Sequence, residues 1–147
     1  MISFDIKTYD QLSKDELYDL LQLRAEVFVV EQDCPYQDVD GKDKKAVHVL
    51  GYKDEKLVAY TRIFKQGDYF KNASIGRVVV SKDQRQFGYG YALMNASIQA
   101  VEKLFRTNTI EISAQTYLKK FYNNLDFVEV GDGYLEDDIP HIKMVKN

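Results

Sequence analysis

A continuous apolar run, a glycine-containing turn and a helical pattern follow one another in the middle of this chain and constrain its fold most strongly. The run is residues 78–80, the turn contains Gly88 and Gly90, and apolar residues then recur at helical spacing to about Phe105. An uninterrupted apolar run is typical of a strand buried on both faces of a sheet. The segment therefore predicts a central strand, a loop and a helix.

The remaining pattern predicts a mixed arrangement of strands and helices. Ser13 and Glu16 have the spacing of a capping box, and an amphipathic helix is predicted from there to about Val30. Other strands are predicted at 2–6, 47–52, 57–64, 75–80, 109–114, 127–130 and 141–145, and a short helix at 117–122. A β-meander followed by two β-α-β units predicts an α/β or α+β fold, with a mixed central β-sheet flanked by helices. No linker or repeat interrupts the pattern, so residues 1–147 are predicted to form one domain.

The glycine turn has the chemistry of a diphosphate site. Glycine has no Cβ, so a ligand can approach the backbone closely, and the first turn of a helix presents unpaired N–H groups at its partly positive end. Arg85 adds a cationic group beside the turn. A Rossmann fingerprint would need a third glycine where Leu93 stands, and the Gly-Lys-Ser/Thr of a Walker loop is absent. A glycine-rich turn that only begins a helix is the plain alternative.

The pattern Arg-x-x-Gly-x-Gly after an apolar strand resembles the coenzyme A motif of the GNAT family of acetyltransferases. The resemblance implies a GNAT acyltransferase fold with acetyl-CoA as the co-substrate. It also implies that the acetyl-CoA is held by Val78, Val79, Val80, Arg85, Gln86, Phe87, Gly88, Tyr89 and Gly90.

Residues 115–127 resemble a second GNAT motif, with three departures: Gln115 replaces Asn, Leu118 replaces Ala and Asp126 replaces Gly. The resemblance implies that Gln115 binds the pantetheine arm. It also implies that Tyr122 binds the cofactor and protonates the leaving thiolate as the catalytic acid. The plain alternative for Tyr122 is an amphipathic-helix residue without a chemical role.

Residues 21–40, 75–78 and 138–141 resemble the ElaA-like branch of the GNAT proteins, so the resemblance covers nearly the whole chain. It implies direct attack of a primary amine, on a small molecule or a peptide, on the acetyl thioester in a ternary complex. It also implies that the first helix and the loop after it shape the acceptor pocket. A non-catalytic acyl-CoA sensor or regulatory module on the same fold stays open as the alternative.

The general base is not assigned by the sequence, and its candidates are Glu26, Glu31, Glu111 and His48. His48 and His141 lie within apolar strand patterns and are interpreted as structural residues. The acidic loop that contains Asp38 and Asp40 has two interpretations of equal weight: it attracts a cationic acceptor, or it is a solvated turn.

Composition and spacing argue against several other classes. Lys and Arg total 20 against 23 Asp and Glu, a formal charge of -3, which counts against a nucleic-acid partner. No apolar stretch approaches the roughly 20 residues of a membrane helix, and the start of the sequence does not resemble a signal peptide. With the single Cys34, these features predict the cytoplasm. A calcium-loop spacing would put Tyr36 and Val47 at ligand positions, so no metal site is predicted. The oligomeric state is not set by the sequence, and a homodimer is one open alternative.

Overall fold

One mixed β-sheet runs through the computed structural model, which describes all of residues 1–147. Its strands, in the order β1-β2-β3-β4-β5-β7-β6, include one parallel pair, β4 with β5. The strands are β1 (Ser3–Thr8), β2 (Val47–Lys53), β3 (Lys56–Phe64), β4 (Ala73–Val80), β5 (Ile110–Gln115), β6 (Val128–Glu136) and β7 (Ile139–Lys146). The helices are α1 (Lys14–Arg24), α2 (Tyr89–Phe105) and α3 (Lys119–Asn123). The predicted mixed sheet with flanking helices is confirmed.

The two faces of the sheet are covered by different helices. Successive side chains of a strand point to opposite faces, so Val49 packs in one core cluster and Leu50 in the other. The larger cluster contains Leu93, Met94, Ile98 and Val101 of α2, and the smaller contains Leu20 and Leu23 of α1. The sheet therefore lies between α1 and α2. No helix has the length and apolar character needed to cross a membrane.

The first helix begins as predicted but changes its winding halfway. The Ser13 backbone N–H donates to Glu16 at 2.8 Å, and the Glu16 N–H donates to Ser13 Oγ at 3.0 Å, which is the capping box. After α1 the chain continues as a π-helix over Ala25–Glu31. Its i→i+5 bonding includes Gln32 N–H to the Val27 carbonyl at 3.2 Å. Such π segments often occur at functional sites, because they shift side chains out of the α-helical register.

The second β-α-β unit contains an inserted strand. β7 pairs antiparallel with β5 on one side and with β6 on the other, so β5 and β6 are parallel but not adjacent. A two-residue turn joins β6 to β7, and both Asp137 and Asp138 have positive φ angles, 50° and 61°. This is the geometry of a type I′ hairpin turn. It places the end of the β6–β7 hairpin beside the end of β5.

The acidic loop is held by buried arginines. Asp38 accepts a hydrogen bond from Arg24 Nε at 2.8 Å, and Asp43 accepts from Arg24 at 2.7 Å and from Arg62 at 2.9 Å. Asp40 forms a two-pronged pair with Arg62 at 2.6 and 2.9 Å. The Arg24 side chain is fully buried. The loop is therefore anchored to α1 and β3 by a network of ion pairs.

This network bears on both interpretations of the loop. Asp38 is 7% exposed and the Asp40 side chain is 21% exposed, so these two carboxylates are not fully solvated. Burial acts to raise the pKa of Asp43, but hydrogen bonds from Arg24 hold that pKa below its usual value. Three cations, the third of which is Arg77 at 2.8 Å from Asp38, neutralise these carboxylates. These internal ion pairs weaken the prediction that the loop attracts a cationic acceptor, which stays a prediction.

Candidate functional site

The site begins where β4 and β5 separate. The two strands pair only through Ala73 and Ser74, at the start of β4, so the rest of their length diverges and leaves a cleft. A bulge adds to the divergence, because the register of β4 against β3 slips beside Arg77, whose φ is 50°. Bulges commonly re-aim side chains next to active sites.

A cavity of about 430 Å³ occupies one end of this cleft, beside the N-terminus of α2, and is called the α2 cavity here. Its volume lies within the range of about 300–1,000 Å³ typical of small-molecule sites. Most of the residues predicted to bind the cofactor line it: Val78, Val79, Val80, Arg85, Gly88, Gly90, Gln115 and Tyr122. Strand, turn and α3 therefore converge on one cavity.

Three predicted cofactor residues have side chains outside this cavity. Phe87 and Tyr89 pack against Lys53, whose Nζ lies 4.1 Å from the Phe87 ring centre and 5.5 Å from that of Tyr89. Gln86 is exposed to solvent. Their predicted contribution is through backbone N–H groups, and that stays a prediction.

Gly88 forms the opening of the α2 cavity at the helix terminus. A short 3₁₀ segment, Lys82–Phe87, leads into it, and Gly88 has a left-handed φ of 72°. A Cβ added at Gly88 would meet nothing within 4 Å, and no side chain caps the first turn of α2. Unpaired N–H groups of a helix terminus thus stand beside open space, which fits a diphosphate group.

Arg85 is already engaged by protein groups. Its Nη atoms donate to both carboxylate oxygens of Glu31 at 2.6 and 2.8 Å, and its Nε donates to the Val80 carbonyl at 3.0 Å. These bonds raise the pKa of Arg85 and lower that of Glu31. The ion pair joins the π-helix to the end of β4 across the wall of the cavity. A bound phosphate would share Arg85 with Glu31.

Tyr122 is 5% exposed and lies in the larger core cluster. Its ring packs edge-on against Phe121 and Phe127, while no side-chain hydrogen bond engages its hydroxyl. Burial raises the pKa of Tyr122 above that of an ordinary phenol. The hydroxyl therefore stays protonated at neutral pH, and the same rise makes it a weaker acid than an ordinary phenol.

Gln115 faces the π-helix across the cleft. Its side-chain oxygen accepts from Gln32 Nε2 at 3.2 Å, so the two amides form a partner pair between β5 and the loop after the π-helix. Both side chains line the α2 cavity. The Gln115 side-chain nitrogen donates to Gln32 Oε1 only over a long distance, 3.5 Å. It can therefore still donate a hydrogen bond to a ligand.

A second cavity of about 110 Å³ adjoins the first and is called the hairpin cavity, because residues of the β6–β7 hairpin line it. Its other walls come from β4, from β5 and from the loop at Cys34 and Tyr36. The residues common to both cavities are Phe28, Gln32, Val78, Gln115, Leu118 and Tyr122. Tyr122 therefore stands at the junction of the two spaces.

The hairpin cavity contains polar groups that sequence reasoning missed. Glu136, Asp137 and His141 line it, and Glu136 Oε2 lies 3.6 Å from His141 Nε2. Ser113 donates to Glu136 at 3.3 Å. The only sequence signal for this group was the run 138–141, which matched the ElaA-like pattern without a role for its histidine.

The four base candidates from the sequence are not gathered at the junction. His48 is fully buried, with Nδ1 at the Tyr60 hydroxyl and Nε2 at the Asp43 carbonyl, so the structural interpretation of His48 is confirmed. Glu26 lines neither cavity, and Glu111 lines neither. Glu31 lines the α2 cavity but is paired with Arg85. The structure contains no cluster of three or more His, Cys, Asp or Glu side chains placed to hold a metal.

Known proteins resemble this chain over nearly its full length. A family model described as an acetyltransferase (GNAT) domain matches residues 9–147. Protein ElaA of Escherichia coli K12 is 42% identical over 148 residues, covering 99% of this chain and 97% of that protein.

Two solved structures also resemble this chain over their full length. An acyl-CoA N-acyltransferase from Pseudomonas aeruginosa is 44% identical and superimposes with a TM-score of 0.93, covering 100% of both chains. The crystal structure of Escherichia coli ElaA is 41% identical, also with a TM-score of 0.93 and full coverage of both chains. The overall fold is therefore shared with both of these structures.

Proposed function

The chain belongs to the GNAT acetyltransferase family, and from that membership we propose that it moves an acetyl group from acetyl-CoA to a primary amine. The family supports acyl transfer from a coenzyme A thioester in general. The acetyl group, the amine acceptor and direct attack in a ternary complex are the specific parts of the proposal.

The observation that carries the proposal is the junction of two cavities of different size and polarity. The α2 cavity has apolar walls from β4 and a helix N-terminus at one end, which suits a pantetheine arm and a diphosphate. The hairpin cavity is small and has several polar groups, which suits the amine end of an acceptor. Two substrates entering from opposite sides would meet beside Tyr122, so direct transfer needs no covalent enzyme intermediate.

The cleft edge of β4 offers a hydrogen-bond donor for the developing oxyanion. The Ser81 N–H donates to Val58 on β3 at 2.7 Å. Because neighbouring residues of a strand direct their N–H groups to opposite sides, the Val80 N–H faces the cleft. The Val80 carbonyl accepts from Arg85 on that same side. A fixed backbone donor of this kind stabilises a tetrahedral intermediate without reorganisation.

Replacing Gly88 with Leu tests the proposed diphosphate site. The side chain would occupy the open space beside the first turn of α2, where a phosphate is expected. We expect the dissociation constant of coenzyme A to rise about a hundredfold by titration calorimetry, roughly 2.7 kcal/mol of binding free energy.

Gly67→Leu is the matched control for Gly88→Leu. Gly67 also has a positive φ, 85°, with nothing within 4 Å of an added Cβ, and it lines neither cavity. Both variants should lose about 1–2 kcal/mol of folding stability from the left-handed backbone. Only Gly88→Leu should lose coenzyme A. Equal coenzyme A affinity in the two variants would contradict a diphosphate site at the N-terminus of α2.

A thiol-release assay with acetyl-CoA and an amine panel tests the proposed reaction. The proposal predicts coenzyme A release that depends on the amine and saturates with both substrates. Binding of acetyl-CoA without turnover of any amine would instead support the acyl-CoA sensor. Absence of both binding and turnover would contradict the enzyme and the sensor alike.

A further inference from the structure

His141 is the one imidazole in the chain with a free ring nitrogen in a cavity. It lies on β7, is 6% exposed, and lines the hairpin cavity. Its Nδ1 is 2.7 Å from the Ile139 carbonyl oxygen. A carbonyl oxygen can only accept, so Nδ1 carries the proton and Nε2 of the neutral ring carries a lone pair. His48, by contrast, has both ring nitrogens engaged.

Two neighbouring side chains, Tyr134 and Glu136, lie against the His141 ring. The Tyr134 ring lies nearly parallel to it, with ring centres 6.2 Å apart. Glu136 Oε2 is 3.6 Å from His141 Nε2, which is too long for a direct hydrogen bond. An amine nitrogen placed to one side of this pair could lie within hydrogen-bond distance of both atoms.

The charges around the hairpin cavity suit a cationic acceptor. Glu136 and Asp137 come from the hairpin side. Arg77, on the β4 side, has its charge balanced by Asp38 and Asp40 at 2.8 and 3.5 Å. The remaining titratable groups around the cavity are Tyr134 from β6, Tyr122 from α3, and Cys34 and Tyr36 from the loop after the π-helix. The two unpaired carboxylates leave the cavity with a net negative charge, which favours an ammonium group.

We propose that His141 is the general base that deprotonates the acceptor ammonium, with Glu136 as the positioning residue that holds the ammonium and the resulting imidazolium. This inference rests on the proposed function and names the base that the sequence did not assign.

Every proton and every bond is accounted for in one catalytic cycle. His141 Nε2 takes one proton from the ammonium, and the free amine pair then forms the C–N bond at the thioester carbonyl. The C–S bond breaks, and the leaving sulfur takes the proton of the Tyr122 hydroxyl. The second proton on nitrogen passes, directly or through water, to the Tyr122 oxygen. The imidazolium releases its proton to solvent, so each turnover frees one proton.

The test compares His141→Asn with the parent, using ethylamine and 2,2,2-trifluoroethylamine as small acceptors. The Asn amide can still donate to the Ile139 carbonyl but has no basic nitrogen at the Nε2 position. At neutral pH ethylamine is an ammonium and needs a base, whereas most of the fluorinated amine is already neutral. We expect kcat/KM for ethylamine to fall about a hundredfold, within the usual range for a general base. The loss for trifluoroethylamine should be less than tenfold.

Two further readouts separate a base from a structural residue. The affinity for coenzyme A and the thermal unfolding temperature of His141→Asn should match the parent. The kcat/KM of the variant for ethylamine should rise steadily with pH across the neutral range, because only the small fraction of free amine would then react. An equal loss with both amines, or full ethylamine activity in the variant, would overturn the assignment. The activity of the parent tests the proposed function separately. If the parent acetylated neither amine, both proposals would be contradicted. If parent and variant were equally active, only the assignment of His141 as the base would be contradicted.

Discussion

Replacing Tyr122 with Phe should lower kcat about a thousandfold, inside the 10²–10⁴ range for loss of a proton donor. Tyr122 stands at the junction of the two cavities, where the thiolate would leave. Its hydroxyl has no side-chain partner to lose, so the variant should fold with about the parent's stability. The affinity for coenzyme A should change little, because the proton is needed only in the transition state.

The pH dependence of kcat gives a second check on Tyr122. Burial raises its pKa above the ordinary value of about 10, so the hydroxyl keeps its proton throughout an assay range up to about pH 10. No loss of activity on the alkaline side should therefore come from Tyr122. A phenol is a weaker acid than a thiol of pKa about 8.5, so proximity to the sulfur must supply much of its effect.

Tyr52→Phe is the matched control for Tyr122→Phe. Tyr52 is a partly buried tyrosine whose pKa burial also raises, to about 12, but it lines neither cavity. Steady-state kinetics should show the parent's kcat for Tyr52→Phe and the large loss only for Tyr122→Phe. A Tyr122→Phe enzyme with the parent's kcat would make Tyr122 a packing residue.

Replacing Arg24 with Met should produce the largest loss of stability, about 3–5 kcal/mol, because it leaves buried carboxylates short of a cation. Arg24 bonds to Asp38 and Asp43, and all three side chains are buried. A loss of this size is a large part of the 5–15 kcal/mol that holds a typical domain folded. At about 2–4 °C for each kcal/mol, thermal unfolding should begin roughly 10 °C lower.

Lys7→Met is the control for Arg24→Met. It removes one side of the Lys7–Glu16 pair, which is also short, at 2.6 Å, but is partly exposed. Such surface pairs contribute little to folding stability. In denaturant unfolding, adding Asp43→Asn to Arg24→Met should recover part of the loss, since the unpaired charge is removed. If Arg24→Met cost no more than Lys7→Met, the network would not stabilise the fold.

Sequence reasoning succeeded where the determining residues are close together in the chain. The capping box joins residues three positions apart, and the strand, turn and helix around Gly88 are contiguous. Asp126 is a further example: it replaces the glycine of the motif, and its φ of 70° has the left-handed value such a position requires. Local signals of this kind depend on backbone preferences that one short segment fully sets.

The features that sequence reasoning missed depend on long-range contacts. The partners of the acidic loop lie 14 to 39 residues away, so nothing near Asp38 indicated that Arg24 and Arg77 would bury it. The insertion of β7 between β5 and β6 depends on the pairing of whole strands. The π-helix was also missed, because its residues have the same apolar spacing as a continued α-helix.

The distinction between local and long-range contacts also explains which parts of the site the sequence predicts. The α2 cavity was largely predicted because most of its walls come from two motifs that carry the family pattern. The hairpin cavity was not, because its polar groups come from separate segments that meet only in the folded chain. His141 was interpreted as structural from its apolar strand, and only the Nδ1 contact with Ile139 identifies its free nitrogen.

A crystal structure of this chain with coenzyme A bound would test the central claim most directly. We expect diphosphate oxygens within about 3 Å of backbone nitrogens between Phe87 and Tyr91, as for ordinary hydrogen bonds. The pantetheine arm should run between β4 and β5, with its sulfur beside Tyr122. Coenzyme A bound with its diphosphate away from the N-terminus of α2, or with its sulfur outside the junction of the two cavities, would contradict the account.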